Sequence, residues 1–188
     1  MQYYLIETDE RNRIPYKINK NRAVDIRMLS KEKIYKVPKW NVMEMDFPRD
    51  GFFPDMLCDP CILVSRCFME TLMMYQGEIP YRIVKVWEKE SGINETYFIP
   101  ILEEVDCISF QTQYNRTGNR ITKLVLEKEK IKTYAAFRMK NYDRNCVVGR
   151  MDFVESLLRR EVGGIKLTEL EQVKETREER GSYERISN

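Results

Sequence analysis

The 188-residue sequence predicts an α+β fold: a largely antiparallel or mixed sheet, two main helices packed on it, and a long irregular N-terminal segment. Three observations point there. Alternating apolar runs joined by short turn sequences recur through the centre of the chain; two stretches of helical period stand apart, instead of separating every pair of strands; and Pro and Gly crowd residues 38 to 60 too densely for a regular element.

The first element, "QYYLIE", reads as a short strand, followed by polar, turn-rich text to Asn21 and irregular text from Arg22 to Asp59. Within it, "KWNVMEMDFPRDGFFPDMLCDP" spreads Trp40, Phe47, Phe52 and Phe53 among Pro38, Pro48, Pro54, Pro60 and Gly51. Such a pattern suits a long connection anchored by aromatics, packed over the main core. Next, "CILV" is a short buried-strand run, Ser65 is placed to cap the helix of "RCFMETLMMY", and Gly77 stops it. Phe68, Leu72 and Tyr75 recur at spacings of four and three, so one face of that helix is apolar and must pack on a neighbour.

"YRIVKVWEK" and "TYFIPIL" alternate and are joined by "ESGINE", whose Ser91-Gly92 step signals a hairpin. A strand "RITKLVLEK" follows the Thr117-Gly118-Asn119 turn, and "TYAAFRM" and "CVVGR" flank the polar turn "KNYDRN". Then "MDFVESLLRREVGGIKLTELEQV" reads as helix, stop and strand: Asp152 with Glu155 three residues later has the spacing of a capping box, and Gly163-Gly164 ends the helix. The expected organisation is therefore residues 1–60 as an irregular segment with one short strand, 61–173 as the α+β core, and 174–188 as a solvated tail.

Composition narrows the function classes. Lys plus Arg number 32 against 30 for Asp plus Glu, so the net charge of +2 supplies no whole-molecule field for nucleic acid or an anionic membrane. The start lacks a basic region followed by an apolar core, and no window has the apolar length of a membrane span, so the chain reads as cytoplasmic with no membrane partner. Five scattered cysteines do not form a secreted disulfide framework. The absence of histidine excludes Ser-His and Cys-His nucleophile pairs, imidazole bases and His-ligated zinc. Catalysis could use only carboxylates, thiols, Lys, Tyr or Arg.

Each remaining constellation has a chemical and a bland reading. "CDPC", Cys58 to Cys61, has dithiol redox spacing, but the second cysteine opens an apolar strand and the helix begins only near Ser65, which favours structural thiols. A Cys-only zinc site from Cys58, Cys61, Cys67 and Cys107 or Cys146 lacks the second close pair such sites use. Glu103, Glu104 and Asp106 could include paired acid–base carboxylates; where a strand ends, a turn with Asp106 bonding nearby amides is the simpler reading. Residues 116 to 140 carry the one local cationic excess, Arg116, Arg120, Lys123, Lys128, Lys130, Lys132, Arg138 and Lys140 against Glu127 and Glu129. That excess is a solvated face or a partner surface, with nucleic acid disfavoured for want of a recognised binding motif. Arg159 and Arg160 after Glu155 suggest helix-spaced ion pairing.

Taken in order, "YFIPILEEVDCIS", "ITKLVLEKEKI", "AAFRM" and "RMDFVESLLRREVGGIKLTELE" resemble the C-terminal half of the bacterial immunity-protein family numbered eleven among polymorphic-toxin immunity proteins. "QYYLIE" and "CILVSRCFMETL" are similar to it too, while residues 8 to 55 match nothing in it. The resemblance implies a small cytoplasmic antidote, neither enzyme nor cofactor-binding, that binds a cognate protein toxin encoded nearby and blocks it. It implies a structural role for Pro100, Glu103, Asp106 and Ser109 as a sheet-fixing turn, and for Asp152, Glu155, Ser156 and Gly164 around the last helix. Recognition is then expected in residues 38 to 60, with Trp40, Phe52 and Phe53, or in the basic hairpin, with Arg116, Arg120 and Lys123. The competing expectations are a thiol-disulfide or other small enzyme using Cys58 and Cys61, and a nucleic-acid-binding module using the 116–140 hairpin.

Overall fold

The first alternating run forms β1 (Tyr3–Thr8), and the computed structural model, which describes residues 1–118 and 120–174, places it inside a six-stranded sheet. Its companions are β7 (Glu104–Val105), β10 (Val125–Glu127), β11 (Ala136–Met139), β12 (Val147–Arg150) and β13 (Ile165–Val173), in the order β10-β13-β1-β12-β11-β7. β1 is antiparallel to both neighbours, whereas β10 with β13 and β11 with β7 are parallel. A second sheet has the order β2-β5-β6-β4-β3, from β2 (Trp40–Glu44), β3 (Met56–Leu57), β4 (Leu63–Val64), β5 (Tyr81–Trp87) and β6 (Asn94–Pro100). A separate hairpin joins β8 (Gln113–Tyr114) and β9 (Ile121–Lys123). With helices α1 (Arg66–Gln76), α2 (Lys128–Ile131) and α3 (Met151–Arg159), the fold is α+β with mixed sheets.

Three clusters hold the layers. On one face of the large sheet, Ile6, Ala136 and Val147 meet α1 and α3, where Phe153 lies edge-on to Phe68 and Tyr75 with centroids 5.8 and 5.5 Å apart. On its other face, Tyr3, Leu5, Phe137 and Val148 are covered by Cys107, Leu126 and Ile131. The third cluster sits on the second sheet, where Met43, Val84, Val86, Tyr97 and Ile99 are covered by Ile18, Val24, Ile34 and Val37 from the irregular N-terminal text. Each cluster buries apolar area from segments distant in sequence, and this burial drives the assembly.

The structure corrects several expectations. Residues 1–60 supply three strands, not one, and β1 is interior because its residues are buried on both sides of the large sheet. β2 hides among the aromatics and prolines: "WNVME" alternates outside and inside, with Met43 in the core. "RITKLVLEK" is not one strand; it breaks at Leu124, so that β9 pairs with β8 and β10 with β13.

The two main helices start differently. Ser65 caps α1, its hydroxyl accepting from the Phe68 amide at 3.3 Å, and Gly77 ends it at φ +70°. Asp152 is not the N-cap of α3: that position is Arg150, which offers no side-chain cap. The pairing of Tyr3 with Arg150 carries β12 straight into the helix, so Asp152 falls in the first turn. There it accepts from the Phe153 amide at 3.0 Å and from Arg150 at 2.7 and 2.8 Å, and this guanidinium holds its carboxyl below the usual range. Of the expected 174–188 tail, only Lys174 lies among the described residues.

Candidate functional site

Pro100 ends β6, and the chain crosses to the large sheet along Glu103, Glu104 and Asp106. The Arg138 amide donates to the Glu103 carbonyl at 2.8 Å, the Glu103 carboxylate pairs with Lys31, and Glu104 pairs with Arg138 at 3.5 Å. These groups line a cleft of about 370 Å³ at the seam between the sheets. Both carboxylates are exposed and each has a cation beside it. Acid–base work needs unlike environments, and these are alike.

The expected turn is closed by Ser109 and not by Asp106. Ser109 is buried; its hydroxyl accepts from the Gln111 amide at 3.1 Å and its carbonyl from the Thr112 amide at 3.0 Å. Asp106 is exposed, and its carboxylate makes no hydrogen bond among the described residues. The cause is alternation: Cys107 and Ser109 are drawn inward as the Cys107 carbonyl accepts from the Glu127 amide at 2.8 Å, which turns Asp106 outward.

The thiols lie in apolar surroundings. Cys58 packs on the helix side of the large sheet and Cys61 in the second sheet's core. Burial pushes the Cys58 thiol up and that of Cys61 up to about 12, the opposite direction from an activated nucleophile. Cys107 and Cys146 are likewise pushed up to about 12 by burial. All five cysteines are free thiols, and among the described residues no cluster of three Cys, Asp or Glu converges to hold a metal.

The cationic stretch does not form one hairpin. Lys128 and Lys130 belong to α2, and Lys132 follows it. Lys130 pairs with Glu127 at 2.6 Å, Lys132 with Glu129 at 2.7 Å and Lys123 with Glu171 at 2.9 Å. Exposed Arg116 and Arg120 form no ion pair with any described residue. They flank the turn of the β8–β9 hairpin, which the Asn115 amide closes on the Arg120 carbonyl at 2.8 Å and where Gly118 takes φ +70°. Beside the hairpin lies a groove of about 890 Å³, floored by Leu5, Thr168 and Leu170 of the large sheet and reached by Tyr114, Arg120 and Tyr142.

The expected aromatic surface divides. Trp40 is 66% exposed, while Phe53 stacks on Phe47 with centroids 4.5 Å apart and joins the second core. Phe52 lies against Gly164, whose φ of +71° and closeness to Pro54 leave no room for a side chain. The register Trp40 with Ile83 and Glu44 with Trp87 sets Val42, Lys85 and Trp87 on the same side of the second sheet as Trp40. The signal for this face was the alternation in "WNVME", obscured by the prolines around it. Of the α3 motif, Glu155 pairs with Arg159 at 3.8 Å, and the Ser156 hydroxyl is 2.6 Å from that of Tyr75, tying α3 to α1.

Among the described residues no helix is long and apolar enough to cross a membrane. The chain matches no protein-family model, and no curated protein matches it.

Proposed function

We propose that this chain is a cytoplasmic, non-enzymatic antidote of the kind its family resemblance implies, which binds a cognate protein toxin encoded nearby and occludes its active or target-binding surface. The contact surface is the β8–β9 hairpin and the adjoining groove. The observation that carries this reading is the groove of about 890 Å³ beside a projecting hairpin whose Arg116 and Arg120 have no ion partner among the described residues. Exposed arginine beside a tyrosine is a common composition for a protein-binding centre. The chemical alternatives draw less support: the Cys58 and Cys61 thiols are shifted away from nucleophilicity, and the acidic groups after β6 are tied to cations.

Co-expression of the neighbouring toxic protein with this chain tests the reading. Growth rescue with a co-purifying complex is the expected result. Arg116→Glu with Arg120→Glu should weaken the complex at least tenfold while leaving thermal unfolding unchanged, since neither side chain supports the core. Undiminished binding by that variant would remove the hairpin from the interface. Binding to a single-stranded oligonucleotide that declines steeply with added salt would instead favour the nucleic-acid alternative.

A further inference from the structure

β13 has a strand beside it along Ile165–Leu170 on one side, where β1 lies, and only along Glu171–Val173 on the other, where β10 lies. Among the described residues, the outer flank of Ile165–Leu170 is therefore an open strand edge. The hydrogen-bonding phase follows from one contact: the Asp9 amide donates to the Gly164 carbonyl at 2.9 Å, in register with Thr8 opposite Ile165. An antiparallel ladder alternates, so Lys166, Thr168 and Leu170 are the residues bonded to β1. Ile165 and Leu167 turn their N–H and C=O groups outward, as does Glu169 its N–H, and no described group meets them. The groove floored by Thr168 and Leu170 opens beside this edge.

We propose that the outer edge of β13, from Ile165 to Glu169, receives an extended segment of the toxin as an added strand, continuing the line that β10 begins. This rests on the antidote reading. A row of alternating donors and acceptors is answered by an extended backbone, not by a helix or a side-chain surface. A second copy of the chain does not fit in the antiparallel arrangement about Leu167. Residues 171 to 173 of that copy would lie opposite 163 to 161 of the first, and its β10 would fall on the turn where the Gly163 amide bonds Asp55 at 2.7 Å. Arg120 lines the groove beside the slot, exposed and without an ion partner among the described residues, so the incoming strand carries a carboxylate on the flank that faces it.

Residue-resolved hydrogen exchange on the wild-type chain, alone and with the toxin, is the test. Expected in the free protein is slow exchange at Lys166, Thr168 and Leu170 and fast exchange at Ile165, Leu167 and Glu169, the second set becoming protected in the complex. Glu169→Pro, which removes an outward N–H from an exposed position and leaves the β1 ladder intact, should weaken binding roughly tenfold or more. A complex in which Ile165, Leu167 and Glu169 still exchange freely overturns the edge proposal and leaves the antidote reading standing. Protection of those amides in the free protein also overturns it, because the slot is then already filled by the chain's own residues or by a second copy. Failure of a confirmed toxic partner to bind the wild type rejects the antidote reading, and the proposal with it.

Discussion

Gly149 sits in β12 directly beneath α3, and giving it a side chain tests whether the helix layer is held at the spacing described. A Cβ there would lie 2.8 Å from Ile6 Cδ1, 3.0 Å from Phe153 Cδ1 and 3.2 Å from Val154 Cγ2. The Ile6 methyl can swing aside; the Phe153 ring is wedged against Phe68 and Tyr75 and cannot. Overpacking of this degree costs about 1–3 kcal/mol, against a gain of about 0.4–1 kcal/mol from the stiffer unfolded chain. Gly149→Ala should therefore lose about 1–2 kcal/mol. Urea unfolding should show this as a midpoint lower by roughly 0.5–1 M with an unchanged slope. Ile6→Val removes the atom in closest conflict, so its usual cost of about 0.5–1.5 kcal/mol should shrink in the Gly149→Ala background. A Gly149→Ala variant as stable as the parent, or additive with Ile6→Val, would refute the close approach of α3 to the sheet.

Cap positions are tested by a pair of variants: Ser65→Ala should cost about 1 kcal/mol by unmaking the α1 cap, measured by chemical denaturation, whereas Arg150→Ala removes no cap bond and should cost what its partly buried contacts with Asp152 and Tyr3 are worth, its circular-dichroism helix signal unchanged. The buried thiols of Cys61, Cys107 and Cys146 titrate higher in the folded chain than the ordinary value of 9.0, so each contributes stability that is full below about pH 9 and is lost as pH climbs toward about 12. Thermal unfolding should fall through that window in the parent and fall less in a Cys61→Ala, Cys107→Ala, Cys146→Ala variant; equal slopes would contradict the burial. Iodoacetamide at pH 8 should leave those three largely unmodified until the protein unfolds. Trp40→Phe should change stability by less than about 0.5 kcal/mol and abolish the tryptophan fluorescence most accessible to acrylamide, and its retention would mean that Trp40 is covered.

Local signals carried much of the fold. Ser65 with Gly77 bounds α1 and Ser91-Gly92 marks the β5–β6 hairpin, because caps and positive-φ turns depend on a few adjacent residues; α3, by contrast, is ended not by Gly163-Gly164 but at Arg160, with Glu161 at φ +59°, and the glycines lie in the link to β13. The start of α3 is not legible in the sequence, for the complementary reason: its first turn is set by the pairing of Tyr3 with Arg150, a contact across the whole chain that no capping pattern encodes. β2 was missed because its pairing with β5 is parallel and distant, while Pro38 and Pro48 mark breaks on both sides of it.

For the candidate surface, sequence supplied Trp40, Arg116 and Arg120 as exposed groups and the absence of histidine as a bar to whole classes of catalysis. Only tertiary structure decided which cations are spent on carboxylates: Lys123 meets Glu171 and Arg138 meets Glu104 through strand pairings, not through proximity along the chain. That no described strand lies along the outer edge of β13 from Ile165 to Leu170 is likewise invisible in "IKLTELEQV", since a strand's outer flank is vacant or filled according to where a remote segment comes to rest. Short-range patterns determine what a segment can become; the burial of three clusters from scattered segments decides which of its sides still face solvent.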